Sequence, residues 1–191
     1  MQKISSSYKM SKLKTEYYLY LAWPRYLAQW FAHEMHRLAH FDDDHLEPYI
    51  YDCNRDPRQL EPIYTRRGSA VRSILEECLS KQPDPVPELP PENTTIRLVI
   101  PNFQFRRAET YNYLSPASKH LLEDTVRTSF KVALTKYMNK VMFKGIKTST
   151  DSKIAAFMEI NGIEYNDTNA ESIRKIWQRL YHQEYYKQHK S

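Results

Sequence analysis

The stretch QPDPVPELPPEN (residues 82–93), followed directly by TTIRLVIP (residues 94–101), decides how this chain is read. Pro83, Pro85, Pro87, Pro90 and Pro91 fix φ and remove backbone donors, so residues 82–93 are expected to form an extended spacer and neither helix nor central strand. After the spacer, Ile96, Leu98 and Ile100 alternate with Arg97, the period-two pattern of a half-buried strand. That strand is expected to return across the spacer to a sheet formed by the N-terminal part.

Upstream, the aromatic run Tyr17 to Leu21 within residues 15–23 suits a strand. Pro24 suits the first position of a helix whose Leu27, Trp30, Phe31, Met35 and Leu38 share one face. Asp42, Asp43 and Asp44 form an acidic loop, and Tyr49 to Tyr51 reads as a short strand inside an irregular stretch. Ser69 caps a second helix in which Val71, Ile74, Leu75, Cys78 and Leu79 recur at helical spacing, so Cys78 reads as buried filler.

Downstream the pattern is helical. Ser115 caps a long helix with Pro116 at its first position, and Leu122, Val126, Phe130, Ala133, Tyr137 and Val141 trace its apolar face. A shorter helix starts near Asp151 or Ser152, turns Ile154, Phe157 and Met158 inward, and stops at Gly162. A last helix starts after Asn169 and runs toward His189, with Ile173, Ile176, Trp177, Leu180, Tyr181 and Glu184 along one stripe. The reading is therefore α+β and mostly helical: a small N-terminal sheet with two helices, then a three-helix C-terminal unit resembling a helix-turn-helix. It divides the chain into a basic arm (1–14), a small α+β domain (15–105) and a basic helical domain (106–191).

Charge follows the same division. Of the net +5 carried by 191 residues, residues 1–105 hold 13 Lys and Arg against 14 Asp and Glu, whereas residues 106–191 hold 15 against 9. The basic excess thus belongs to the second half and points to a polyanionic partner, with a solvated surface as the plain alternative. Fifteen tyrosines and three tryptophans suit interfaces with protein or with bases. Two cysteines without CxxC spacing, no apolar leader and no apolar run of spanning length lead us to expect a cytoplasmic protein outside the membrane.

Three glycines, Gly68, Gly145 and Gly162, are too few for a phosphate-binding P-loop or dinucleotide fingerprint, and no GxSxG elbow occurs. His33, His36 and His40, with His45 and the nearby aspartates, have spacing that a metal site would use, but the text is HExH and the helical wheel sets the histidines on the polar side. We therefore expect no metal, no cofactor and no catalytic residue. Arg66, Arg67 and Ser69 at a helix start form a candidate anion site, unless both arginines pair with Asp42 to Asp44 or face water. On the last helix, Arg174, Lys175, Gln178, Arg179 and His182 face outward and could contact phosphates and base edges. The connection from Gly162 to Asn169 is longer than the three or four residues of a standard helix-turn-helix, which leaves a basic helical hairpin as the alternative.

Tyr26-Leu27-Ala28-Gln29-Trp30, Arg67-Gly68-Ser69, Tyr111-Asn112-Tyr113-Leu114, Ala155-Ala156-Phe157-Met158 and Gly162-Ile163 together resemble uncharacterised proteins of gut Bacteroidales mobile elements and phages. The resemblance implies a mobile-element context, where DNA-binding accessory proteins are expected, and no assigned activity. The expectation is a non-enzymatic duplex-DNA-binding protein with the C-terminal helices as reader. The alternative is a structural or assembly protein that meets protein partners, or copies of itself, through an aromatic-rich surface, and the third reading is a metal-dependent enzyme that uses the histidine cluster.

Overall fold

The computed structural model describes residues 15–40, 49–83, 90–143 and 148–188. The fold is α+β and mostly helical, with five helices and short strands among the described residues. The basic arm, Asp42 to Asp44, His45 and residues 84–89 of the spacer lie outside the described residues, as does the side chain of Glu184.

The strand after the spacer is the centre of the sheet. β4 (Ile96–Val99) pairs antiparallel with β1 (Tyr18–Leu21), with Tyr18 opposite Val99 and Leu21 opposite Ile96. On its other side it pairs parallel with β2 (Pro62–Ile63), with Ile63 opposite Leu98. Ile96, Leu98 and Ile100 are buried, as their alternation requires. Arg97 points the other way. Its guanidinium sits 3.8 Å over the Tyr18 ring and donates to the carbonyls of Arg58 and Leu60, so the outer face is covered as well.

The strand expected at Tyr49 to Tyr51 is not formed, and Pro62–Ile63 takes the edge position instead. The reason lies in α1 (Arg25–Ala39). Its His33 side chain lies 3.2 Å from the Tyr49 carbonyl and Gln29 donates to the Tyr51 carbonyl at 3.4 Å, so these backbone acceptors are engaged by side chains and not by a ladder. Tyr51 itself is buried, and its hydroxyl donates to the carbonyl of Glu61.

α1 starts one residue later than expected: Pro24 is its N-cap, and the Pro24 carbonyl accepts from Leu27 and Ala28. α2 (Ala70–Cys78) is capped as expected, the Ser69 hydroxyl accepting from the Arg72 amide at 3.2 Å. Its far end is closed from the second half of the chain, where Arg106 donates to the carbonyls of Glu76, Glu77 and Leu79. A further link was not expected: β3 (Ser80–Lys81) and β5 (Tyr111–Tyr113) form a two-stranded antiparallel ribbon across the spacer.

α3 (Pro116–Phe143) runs through the middle, started by Ser115, whose hydroxyl accepts from the Ser118 amide. Its buried residues are Leu122, Val126, Phe130, Leu134 and Met138, whereas Ala133 and Tyr137 are only half-buried. Spacing of four at every step advances the stripe about 40° per step around the helix. The stripe rotates because α3 packs on α1, α2, α4 and α5, and no single straight face serves all four. Phe130 is the meeting point, with ring centroids 5.2 Å from Tyr26, 5.5 Å from Trp30 and 5.8 Å from Phe157. One contiguous core therefore draws residues from both halves of the chain.

α4 (Thr150–Ile160) is capped by Ser149, and Ile154, Phe157 and Met158 are buried as expected. Gly162 ends it with φ +62°, and a Cβ there would stand 2.2 Å from the Tyr49 carbonyl oxygen. α5 (Asp167–Gln188) begins earlier than expected because Asn166, not Asn169, is the cap, its side chain accepting from the Asn169 amide at 2.9 Å.

Candidate functional site

Moving the start of α5 turns Asn169 from a cap into a buried polar residue. Its amide donates to Gln29 Oε1 at 3.3 Å and to the Glu164 carbonyl at 3.0 Å. Gln29 Oε1 also accepts from the Glu164 amide. This closed network fixes the α4–α5 connection onto α1, so the orientation of α5 is set by hydrogen bonds as well as by the burial of Ala170, Ile173 and Trp177.

With that side committed, Lys175, Gln178, Arg179 and His182 are exposed on the outward face of α5, and Arg174 stands on its flank toward α4. Two of the basic groups are engaged locally. Arg174 pairs with Asp151 on α4 at 2.7 Å, and Lys175 pairs with Glu171 one turn earlier at 2.7 Å. The Lys175 hydrogen bond and charge hold the Glu171 carboxyl below its ordinary range. Both pairs are solvent-exposed, where screening by water leaves an ion pair little net contribution to stability. Tyr181, expected on the packing stripe, is instead 47% exposed with its ring 6.0 Å from Trp177. Residues 161–166 link α4 to α5, still longer than a standard helix-turn-helix connection.

Arg66 and Arg67 are exposed beside the start of α2. The Ser69 hydroxyl is already used twice, accepting from Arg72 and donating to the Arg66 carbonyl at 2.8 Å. Arg72 turns back onto the Thr65 carbonyl and over the Phe103 ring. The three expected residues are thus brought together by the turn, with the capping hydroxyl satisfied from within.

The histidines are divided, against the expectation that all three share the polar face. His33 is buried at 7% exposure between α1 and the Tyr49 segment, and burial pushes its pKa down. His36 stacks on the Tyr49 ring at 4.4 Å and lies 4.4 Å from the His40 ring. Burial and then the charges of His40 and His33 push its pKa down too. Among the described residues no group of three or more His, Cys, Asp or Glu side chains converges as metal ligands would. Cys53 is buried, which raises its thiol pKa, and Cys78 is half-buried, so neither has the electropositive, accessible setting of a reactive thiol.

One feature escaped the sequence reading. α1, the start of α2, α3 and α4 surround an apolar groove of about 580 Å³. Trp30, Phe31, Val126 and Phe157 form its floor, and Val132 and Ile160 stand at its edges with 63% and 58% exposure. The available signal was the excess of apolar residues on α3: Val132 belongs to no stripe that packs inward. No described helix is long and apolar enough to cross a membrane. The chain matches no family model, no curated protein and no solved structure.

Proposed function

We propose that the protein binds duplex DNA without catalysing a reaction, using the outward face of α5, as a cytoplasmic accessory protein of a mobile element or phage. The observation that carries this reading is the exposed set Lys175, Gln178, Arg179 and His182 on a helix whose opposite side is packed against α1, α3 and α4. A rigidly held helix with long cationic and amide side chains on its free face has the groups that contact phosphates and purine edges. Glu171 at the centre of that face favours contact by the later turns over contact by the first. Arg66 and Arg67 supply a second cationic site for backbone phosphates.

The experiment is fluorescence anisotropy with labelled duplex and single-stranded DNA over a salt series. Duplex affinity should fall with salt at a log-log slope of about −0.9 for each phosphate neutralised. Binding that ignores salt, or no binding at low salt, sets this reading aside. A protein partner is the second reading, favoured by the apolar groove and by Tyr64, Phe105 and Tyr165, all exposed by more than half.

A further inference from the structure

The groove between α1, α3 and α4 has the size and lining of a binding site. Its volume of about 580 Å³ lies within the roughly 300–1,000 Å³ usual for ligand pockets. Val132 and Ile160 extend the apolar floor onto the rim, where they stand in water.

Charge on the rim is one-sided. Lys136 and Lys140 stand one turn apart on the α3 edge, both exposed and both lining the groove. Neither has an ion-pair partner among the described residues. On the α1 edge Arg37 is held by Glu34 at 2.7 Å, so that wall has no net charge. The surface therefore calls for an occupant that is apolar on one stripe and acidic along one flank.

We propose that this groove docks an amphipathic helix of a partner protein whose apolar stripe is bordered on one side by Asp or Glu. Carboxylates four residues apart on such a helix are spaced about 6 Å along its axis, matching the rise between Lys136 and Lys140. Two or three aliphatic side chains at helical spacing then fill the floor. Residues 1–14 of this chain carry lysines and no acidic residue, so their charge is wrong for the site. The inference deepens the protein-partner reading and does not depend on α5 contacting DNA.

The test uses the full chain and a fluorescein-labelled synthetic helix of about 18 residues, with Leu at i, i+3, i+4 and i+7 and Glu along one flank. The controls are the same peptide with Lys for Glu and a scrambled peptide of identical composition. The acidic helix should bind roughly tenfold tighter than the basic one at low salt, the gap closing as salt rises, and the scrambled peptide should not bind. The double variant Lys136→Glu with Lys140→Glu should reverse the preference. Ile160→Ser, at an exposed position, should weaken both helices while circular dichroism stays unchanged. Arg174→Ala with Arg179→Ala should leave peptide binding as in the parent, which separates this result from any failure of DNA binding. Binding of neither helix, equal binding of the scrambled peptide, or an unchanged preference in the Lys136 and Lys140 variant overturns the proposal. So does a rise in peptide affinity when Asp42, Asp43 and Asp44 are replaced by Asn, which assigns the groove to these acidic residues of the chain itself. A solution dimer that Val132→Asp dissociates assigns it to a second copy and overturns the proposal equally.

Discussion

Gln29 Oε1 on α1 accepts a hydrogen bond from Asn169 Nδ2 on α5 at 3.3 Å, joining residues 140 positions apart in a buried site. Gln29→Ala leaves the Glu164 N–H and one of the two Asn169 amide hydrogens without an acceptor, while the other keeps its bond to the Glu164 carbonyl. Each orphaned buried group costs about 1–3 kcal/mol, so the midpoint of urea unfolding should fall markedly. An unchanged midpoint would mean that water replaces the side chain and that the network does not hold α5.

Two glycines with positive φ separate backbone strain from packing. Gly68, with φ +79°, has nothing within 4 Å of an added Cβ, so Gly68→Ala should cost only the conformational term of about 1–2 kcal/mol. Gly162→Ala bears that cost and also drives a methyl into the Tyr49 carbonyl and the His33 ring. Thermal unfolding should rank the parent above Gly68→Ala, and Gly68→Ala well above Gly162→Ala. Equal melting temperatures for the two variants would contradict the close approach.

The rotating stripe on α3 separates two neighbouring aliphatic residues. Leu134→Ala removes a fully buried side chain and should cost about 2–5 kcal/mol, whereas Val132→Ala, at an exposed position, should stay within about 0.5 kcal/mol. Chemical denaturation of the two variants decides between this stripe and the straight one through Ala133 and Tyr137.

Stability should also depend on pH through His33 and His36. Both are pushed below the ordinary histidine value in the folded chain, chiefly by burial. The unfolded chain then binds more protons than the folded one as pH falls through about 6.5, so stability is lost on acidification and is full above that pH. His33→Gln should flatten the unfolding free energy between about pH 7 and pH 5 relative to the parent. A parent profile that rises toward acid would refute the burial of these rings.

Much of this fold was legible because its signals are local. The alternation of Ile96, Leu98 and Ile100, the caps at Ser69 and Ser115 and the stop at Gly162 each depend on residues within a turn or a strand. What the sequence hid depends on partners far away. His33 reads as polar until the Tyr49 carbonyl arrives beside it, and Asn169 reads as a cap until Gln29 accepts its amide. The Arg106 closure of α2 and the β3–β5 ribbon join segments about 30 residues apart, beyond the reach of any periodicity argument. At the candidate site, the outward placement of Lys175, Gln178, Arg179 and His182 followed from the helical stripe. The Asp151 partner of Arg174 did not, because it sits on another helix.

The proposed contact between the outer face of α5 and duplex DNA is decided by the salt dependence of duplex affinity for the parent and for Arg174→Ala with Arg179→Ala. Circular dichroism and melting temperature establish that the variant is folded. Removing these two arginines should weaken binding at low salt and make the log-log salt slope shallower by about 0.9 for each one that contacts a phosphate. A folded double variant that binds as tightly as the parent at every salt concentration would contradict the claim and leave the groove as the leading binding surface.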